Sequence, residues 1–243
     1  MLGIAVGFLG GLFGLGGGLF LIPVLGFIYN FDQQHAQGTA LVMIIPNTAV
    51  ALWQYMRRNQ MDPRIALILG GAGLPFTFWG AHVATHMASA PLRRGFAIFM
   101  LAIAIYYLWH GLRAPRETNG GRLHAERWPF AIPIGAIGGA LSGLLSTGGA
   151  VFAVPLVAAI FNMPQAAAQG MGLALVAPGT LVNLTTYAVA GDVVWRAGIA
   201  LALGGIVAIP WGVHLAHYLP DRVLRGLFAL MAAYSAVALW LRA

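Results

Sequence analysis

The sequence predicts an all-α integral membrane protein made of two internal repeats, each a glycine-broken or re-entrant helix pair plus three transmembrane helices. Composition is the first of three observations behind that class. Of 243 residues, 60% are hydrophobic and 8% charged, against about 25% charged in a soluble domain. The second is that uninterrupted apolar runs long enough to cross a bilayer recur from end to end. The third is self-similarity at a spacing of 132 residues. Gly10–Pro23 (GGLFGLGGGLFLIP) falls on Ser142–Pro155 (SGLLSTGGAVFAVP), and the match continues without a gap. Asn30 meets Asn162, Gln37-Gly38 meets Gln169-Gly170, Pro46-x-Thr48 meets Pro178-x-Thr180, and Tyr55 meets Tyr187. Further on, Trp79-Gly80-x-His82 meets Trp211-Gly212-x-His214, and Leu92-Arg93 meets Leu224-Arg225. A glycine break in an apolar segment, once per half, marks transporters built from repeats.

Residues 1–112 form the first repeat, 113–128 a polar linker punctuated by Gly and Pro, and 129–243 the second repeat. Apolar segments run over about 2–30, 35–56, 64–88 and 91–112, then 129–161, 166–190, 195–219 and 221–242. The first segment of each half is too long for one comfortable span, and its glycines divide it. Each arm is about twelve residues, or roughly 18 Å of helix, against a hydrocarbon core of about 30 Å. The pair is therefore one interrupted span or a re-entrant hairpin. Irregular backbone at membrane depth is tolerated only where protein or a wet cavity satisfies it, so both options set the glycines beside a polar cavity. An interrupted span makes four crossings per half and parallel repeats. A hairpin leaves three crossings and inverts them. Arginine counts do not arbitrate, since either topology sets nine against four with the linker in the cytoplasm. Paired short half-helices favour the inverted arrangement. Gly3, Gly7 and Gly11, with Gly135, Gly139 and Gly143, recur at every fourth residue, a spacing that lets helix backbones approach closely in lipid.

The formal net charge of +7 is carried by arginines in short loops, which reads as retention of those loops in the cytoplasm rather than as a nucleic-acid surface. There is no Lys and no Cys, which removes phosphate-binding lysine loops, Schiff bases, disulfides and thiolate metal sites. The amino terminus has no basic region and no cleavage site, so no cleavable signal is expected there. All six acids (Asp32, Asp62, Glu117, Glu126, Asp192, Asp221) lie in loops or at segment ends. That argues against a carboxylate cation site within the membrane. Paired acids, His-Glu-x-x-His and a serine elbow with an acid partner are all missing, so no enzyme, metal or cofactor is expected.

What remains is neutral and rich in donors. Glycine loops that open half-helices expose backbone N–H groups where the helix dipole is positive, an anion site that needs no charged side chain. Gly16, Gly17 and Gly18 supply the first loop, and Ser146, Thr147, Gly148 and Gly149 the second, with hydroxyls where the first has Gly14 and Leu15. Pro23 and Pro155 are expected in the first turn of the helices that follow. Pro46 and Pro178 should kink their segments, and Asn47, Thr180 and Asn183 stand beside those kinks, with Gln54 two turns past Asn47. Each buried amide is either a substrate ligand or half of an interhelical bond. Thr39 is a weaker candidate, because threonine can bond its own helix. His82, His86, His214 and His217 lie toward segment ends, where packing or the interface explains them. Should transport be proton-coupled, they are the neutral-pH titrating groups at hand. Trp53, Tyr55, Phe76, Phe78 and Trp79 read mostly as interface belt and packing.

The Gly14–Pro23 loop, Gly38-Thr-Ala-Leu ahead of Pro46, Arg57–Asp62 leading to Arg64, Ala190-Gly-Asp-Val-Val-Trp-Arg196 and the turn Leu219–Arg225 come in an order that resembles the TauE/SafE sulfite and organosulfonate transporter family. The resemblance covers essentially the whole chain. It implies a secondary carrier of the bacterial inner membrane for a small sulfur-containing anion. Thr39 becomes Met171 and Asn47 becomes Gly179 in the second half, so the site should be lopsided. The expectation is thus a permease with a small anionic substrate at the repeat interface, moved by alternating access. An anion channel and a non-transporting membrane scaffold are the rivals. Oligomeric state, transport direction and coupling ion stay open.

Overall fold

A computed structural model describes residues 1–58, 61–112, 125–163, 165–216 and 218–240; most of the 113–128 linker lies outside them. The described residues form ten α-helices and no strand. They are α1 (Leu2–Phe13), α2 (Gly18–Tyr29), α3 (Gln33–Arg58), α4 (Pro63–His86), α5 (Ser89–Leu112), α6 (Ala131–Leu145), α7 (Gly148–Phe161), α8 (Gln165–Val189), α9 (Trp195–Ala216) and α10 (Asp221–Trp240). Moved back by 132, the start of every helix in the second half falls within three residues of its mate. Six stretches are long and apolar enough to span a membrane: α3, α4, α5, α6 with its 3-10 lead-in (Ala125–Phe130), α8 and α9.

Local chemistry sets the boundaries. Gly14 at φ 66° ends α1, its N–H turned back onto the Gly10 and Gly11 carbonyls. Gly16 and Gly17, both at positive φ, aim the chain into α2. Asn30 and Asn162, mates in the repeat, close α2 and α7 in the left-handed conformation that asparagine tolerates. Pro46 and Pro178 lie inside α3 and α8 as expected. Pro23 and Pro155 do not lie in first turns. The helices open at Gly18 and Gly148, so each proline is interior. The glycines are flexible enough to start the helix early, and each proline then deprives the carbonyl four residues before it of an intrahelical donor.

Both glycine breaks fold back. A Cβ on Gly17 would touch the Val6 carbonyl, and one on Gly149 the Gly138 carbonyl, so α2 and α7 begin alongside the helices that precede them. α1–α2 and α6–α7 are therefore hairpins rather than interrupted spans. The glycine ladders pack each hairpin onto the opposite half. Gly3, Gly7 and Gly11 face Leu201, Gly205 and Ile209 of α9, while Gly135, Gly139 and Gly143 face Leu69, Gly73 and Thr77 of α4. A methyl at any of the six would fall closer than 3.0 Å to backbone.

The same contacts give helix directions. α3 runs parallel to α9, since Gly38 meets Asp192, Gly198 meets Val42 and Gly205 meets Asn47. α4 runs parallel to α8, with Gly70 at Ala174 and Gly179 at Thr77. α3 and α8 cross antiparallel. The Tyr55 hydroxyl donates to Gln169 Oε1 at 2.8 Å, and at the other end of the pair the Tyr187 hydroxyl donates to Gln37 Oε1 at 2.5 Å. Helices 132 residues apart thus point in opposite directions, in accord with inverted halves; parallel repeats would set α3 and α8 the same way. Outside this centre, α5 packs on α10 and closes an aromatic cluster, with Phe228 4.7 Å from Tyr107 and 5.4 Å from Phe13.

Candidate functional site

The hairpins enter from opposite faces, and their tips meet. Gly18, first residue of α2, lies against the side chain of Thr147, which precedes α7. Two helix N-termini therefore converge in the interior. Neither is capped by its own flanking residue, Gly17 or Thr147. The first N–H groups of a helix have no intrahelical acceptor, and each N-terminus carries roughly half a positive elementary charge. Two of them sum to about one charge, which suits a monoanion.

Hydroxyls and amides crowd the same place. Thr147 is 2% exposed and Thr48 1%, and neither hydroxyl has a hydrogen-bond partner among the described residues. Thr48 Oγ1 lies beside Gly16. Ser146 at φ 61° is fully buried, and its hydroxyl stands near the Tyr187 phenol without meeting hydrogen-bond geometry. Asn47 Nδ2 donates to the Gly16 carbonyl at 3.3 Å, and Asn183 Nδ2 to the Ser142 carbonyl at 2.9 Å. Each amide thus pins a hairpin of its own half. Their Oδ1 atoms are buried and take no hydrogen bond from the described residues. Of the two readings of these amides, the bonds formed by Nδ2 are the structural one, each tying a hairpin to the third helix of its own half.

The remaining sequence candidates fall in different places. Gly148 opens α7 and Gly149 packs on Gly138 and Ser142. Thr180 is buried and donates to the Ala177 carbonyl of its own helix at 2.8 Å. Thr39 accepts from Val194 N at 3.0 Å, tying the start of α3 to the α8–α9 loop, about 12 Å along the helix from Asn47. Gln54 lines a groove between α3 and α9 with Trp53, Arg57, Pro210, Trp211 and His214. His82 and His214 are exposed, His82 against Phe78 and His86, His214 against Tyr218; His217 lies outside the described residues.

The centre is lopsided. Asn47 fills its room against Gly205 of α9, whereas its mate Gly179 leaves room taken by Thr77 of α4. Sequence reasoning missed Ser142 and the reciprocal Tyr55–Gln169 and Tyr187–Gln37 bonds. Both pairs stood in the repeat match as polar residues kept in apolar runs, and a rule that such mates bond across an inverted repeat would have found them.

Apolar spanning helices, paired hairpins and a buried polar meeting point define a polytopic membrane protein of the transporter type. The family model described as "Sulfite exporter TauE/SafE" matches residues 1–239, and the chain belongs to that family. A probable membrane transporter protein of Methanocaldococcus jannaschii is 28% identical over 218 residues, 86% of this chain and 80% of its own length. Another from Bacillus subtilis is 25% identical over 224 residues, 84% of this chain and 82% of its own length. A third, also from Bacillus subtilis, is 23% identical and covers 98% of this chain and 96% of its own length. No solved structure matches the chain significantly. Family and relatives are those of a membrane transporter rather than an enzyme, with a small-molecule substrate and a bilayer setting.

Proposed function

We propose that this chain is a secondary carrier of the bacterial inner membrane for a small sulfur-containing anion, an organosulfonate or sulfite, bound where the two hairpin tips meet. The reading takes residues 1–112 and 129–243 as the two repeats and the segment between them as a cytoplasmic linker. The observation that carries it is the juxtaposition of two uncapped helix N-termini with buried, unbonded hydroxyls of Thr48 and Thr147. A sulfonate presents three acceptor oxygens and one negative charge, complementary to backbone N–H groups, hydroxyls and about one unit of dipole charge. With no acid in the spanning segments, nothing there repels an anion. Membership of a family described as sulfite exporters supports the sulfur class.

Each half's hairpin is clamped to its own third helix and packed by its glycine ladder onto the other half. Rocking one half against the other would open the tips to one face at a time, and their present burial corresponds to an occluded arrangement. A carrier of this kind gives saturable, selective flux without unitary conductance, which separates it from a channel.

The test is calorimetry and thermal shift on purified protein with sulfite, taurine, sulfoacetate and toluene sulfonate, beside Thr147→Val and Asn47→Ala. A hydrogen bond to a charged group contributes about 1.5–3 kcal/mol, so each variant should weaken the preferred anion by roughly tenfold to a hundredfold. Binding of acetate or a cation in place of all four would sink the sulfur-anion assignment.

A further inference from the structure

A groove between α3 and α9 lies apart from the hairpin tips. Its cavity of about 530 Å³ is lined by Trp53, Gln54, Arg57, Pro210, Trp211 and His214, a size in the range that holds small ligands. It lies where α3 and α9, running parallel, both end. Trp53 and Arg57 are one helical turn apart, and the guanidinium carbon sits 3.9 Å above the centre of the Trp53 ring. Stacking of that kind orients the guanidinium through its face and leaves its N–H edge for an acceptor. No acid is among the described lining residues.

The repeat supplies an internal control. The mates of Trp211 and His214 are Trp79 and His82, so the aromatic and the imidazole recur in both halves. The mates of Gln54 and Arg57 are Thr186 and Val189. Thr186 spends its hydroxyl on the Val182 carbonyl of its own helix, at 2.8 Å. Packing of the third helix on the fourth therefore does not require an arginine or a long amide at these positions; only the α3–α9 groove has them.

We infer that the α3–α9 groove binds the phosphate or sulfonate head of an amphiphilic organic anion, with Arg57 and Gln54 donating to its oxygens and Trp53 and Trp211 flanking its apolar body. A tetrahedral oxyanion accepts the two parallel N–H bonds of a guanidinium fork, and exposed tryptophans at the end of a spanning helix place the site at the membrane–water boundary. The chemistry is shared by an anionic lipid headgroup and a soluble aromatic anion, and two arms of one experiment separate these sources.

Wild-type protein, Arg57→Gln, Arg57→Lys and Thr147→Val are placed in phosphatidylcholine nanodiscs. In one arm phosphatidylglycerol replaces part of the phosphatidylcholine, and bound lipid is counted by native mass spectrometry. In the other, phenyl phosphate is titrated by calorimetry. Arg57→Gln should weaken binding of one probe by about tenfold or more, Arg57→Lys by less, and Thr147→Val should leave it unchanged. The arm that responds names the source. Equal binding of both probes by wild type and Arg57→Gln overturns the site, as does an equal loss in Thr147→Val, which would move the effect to the hairpin tips. Arg57 is exposed, so its variants should melt with wild type in plain phosphatidylcholine. Should Arg57→Gln fail to fold, Arg57→Lys decides alone: unchanged binding of both probes overturns the site.

Discussion

Tyr55 and Tyr187 show how single residues join the halves. Each phenol is buried and donates to a glutamine of the opposite half. Tyr55→Phe leaves Gln169 Oε1 short of a donor, so the loss should be about 1–3 kcal/mol, at the upper end of a neutral hydrogen bond because the acceptor stays buried. Apparent melting temperature in detergent checks this, and Tyr55→Phe with Gln169→Leu should lose less than the sum of the single changes. Asp192, in the α8–α9 loop, behaves differently. Burial raises its pKa above the ordinary carboxylate value, with Asp32 adding to the rise and His35 opposing it. A raised acid pKa means that the fold favours the protonated form. No penalty exists well below the ordinary value of about 4; it grows as pH rises through that value and is complete above the raised one. The melting temperature of wild type should therefore fall relative to Asp192→Asn as pH rises from about 4. A difference that does not change with pH above that point would exclude the effect.

At the scale of elements, the glycine ladders explain how the hairpins are held in place, both where the arms are short (α1, α2 and α7) and at α6, whose 3-10 lead-in makes it long enough to span where an arm of about twelve residues was expected. Lipid gives helices little hydrophobic reason to associate, so close backbone contact supplies the attraction. Gly139 and Gly71 make a paired test. A Cβ on Gly139 would run into the Gly73 backbone, whereas one on Gly71 meets nothing within 4 Å. Gly139→Ala should lower stability by about 1–3 kcal/mol through overpacking. Gly71→Ala should leave it unchanged or raise it by up to about 1 kcal/mol, because alanine loses less backbone entropy in a helix. Monodisperse yield and melting temperature read both. The glycines were legible as a packing stripe from their spacing alone. Their partner helices were not, because small residues specify close approach without specifying what approaches. Pro23 and Pro155 failed as boundary markers for a related reason: proline is best tolerated in a first turn, but a glycine run can start the helix earlier and leave it inside.

For the whole molecule, direction is the decisive property. Inverted halves place the α3–α4 and α8–α9 loops on opposite faces, while parallel halves would place them together. The chain has no cysteine, so Arg64→Cys and Ala190→Cys, both at exposed positions, can be labelled one at a time without removing native thiols. An impermeant maleimide applied to sealed vesicles of one orientation should reach one and not the other. Labelling of both from the same side would overturn the inversion and the alternating-access reading with it.

The sequence by itself determined the membrane class, the ten-helix pattern with a break in each half, and the donor-rich, acid-free character of the interior. Those follow from composition, spacing and residue chemistry, which are local. Only the tertiary structure decided that the breaks are hairpins, that the halves run opposite ways, that Gly18 meets Thr147, and that Gln54 belongs to the α3–α9 groove while Thr39 ties down a loop. Arginine counts came out nine to four under either topology, so charge could not choose between them. The choice rests on contacts between residues more than a hundred positions apart, such as Tyr55 with Gln169, whose pairing depends on how whole helices pack rather than on any run of neighbouring residues.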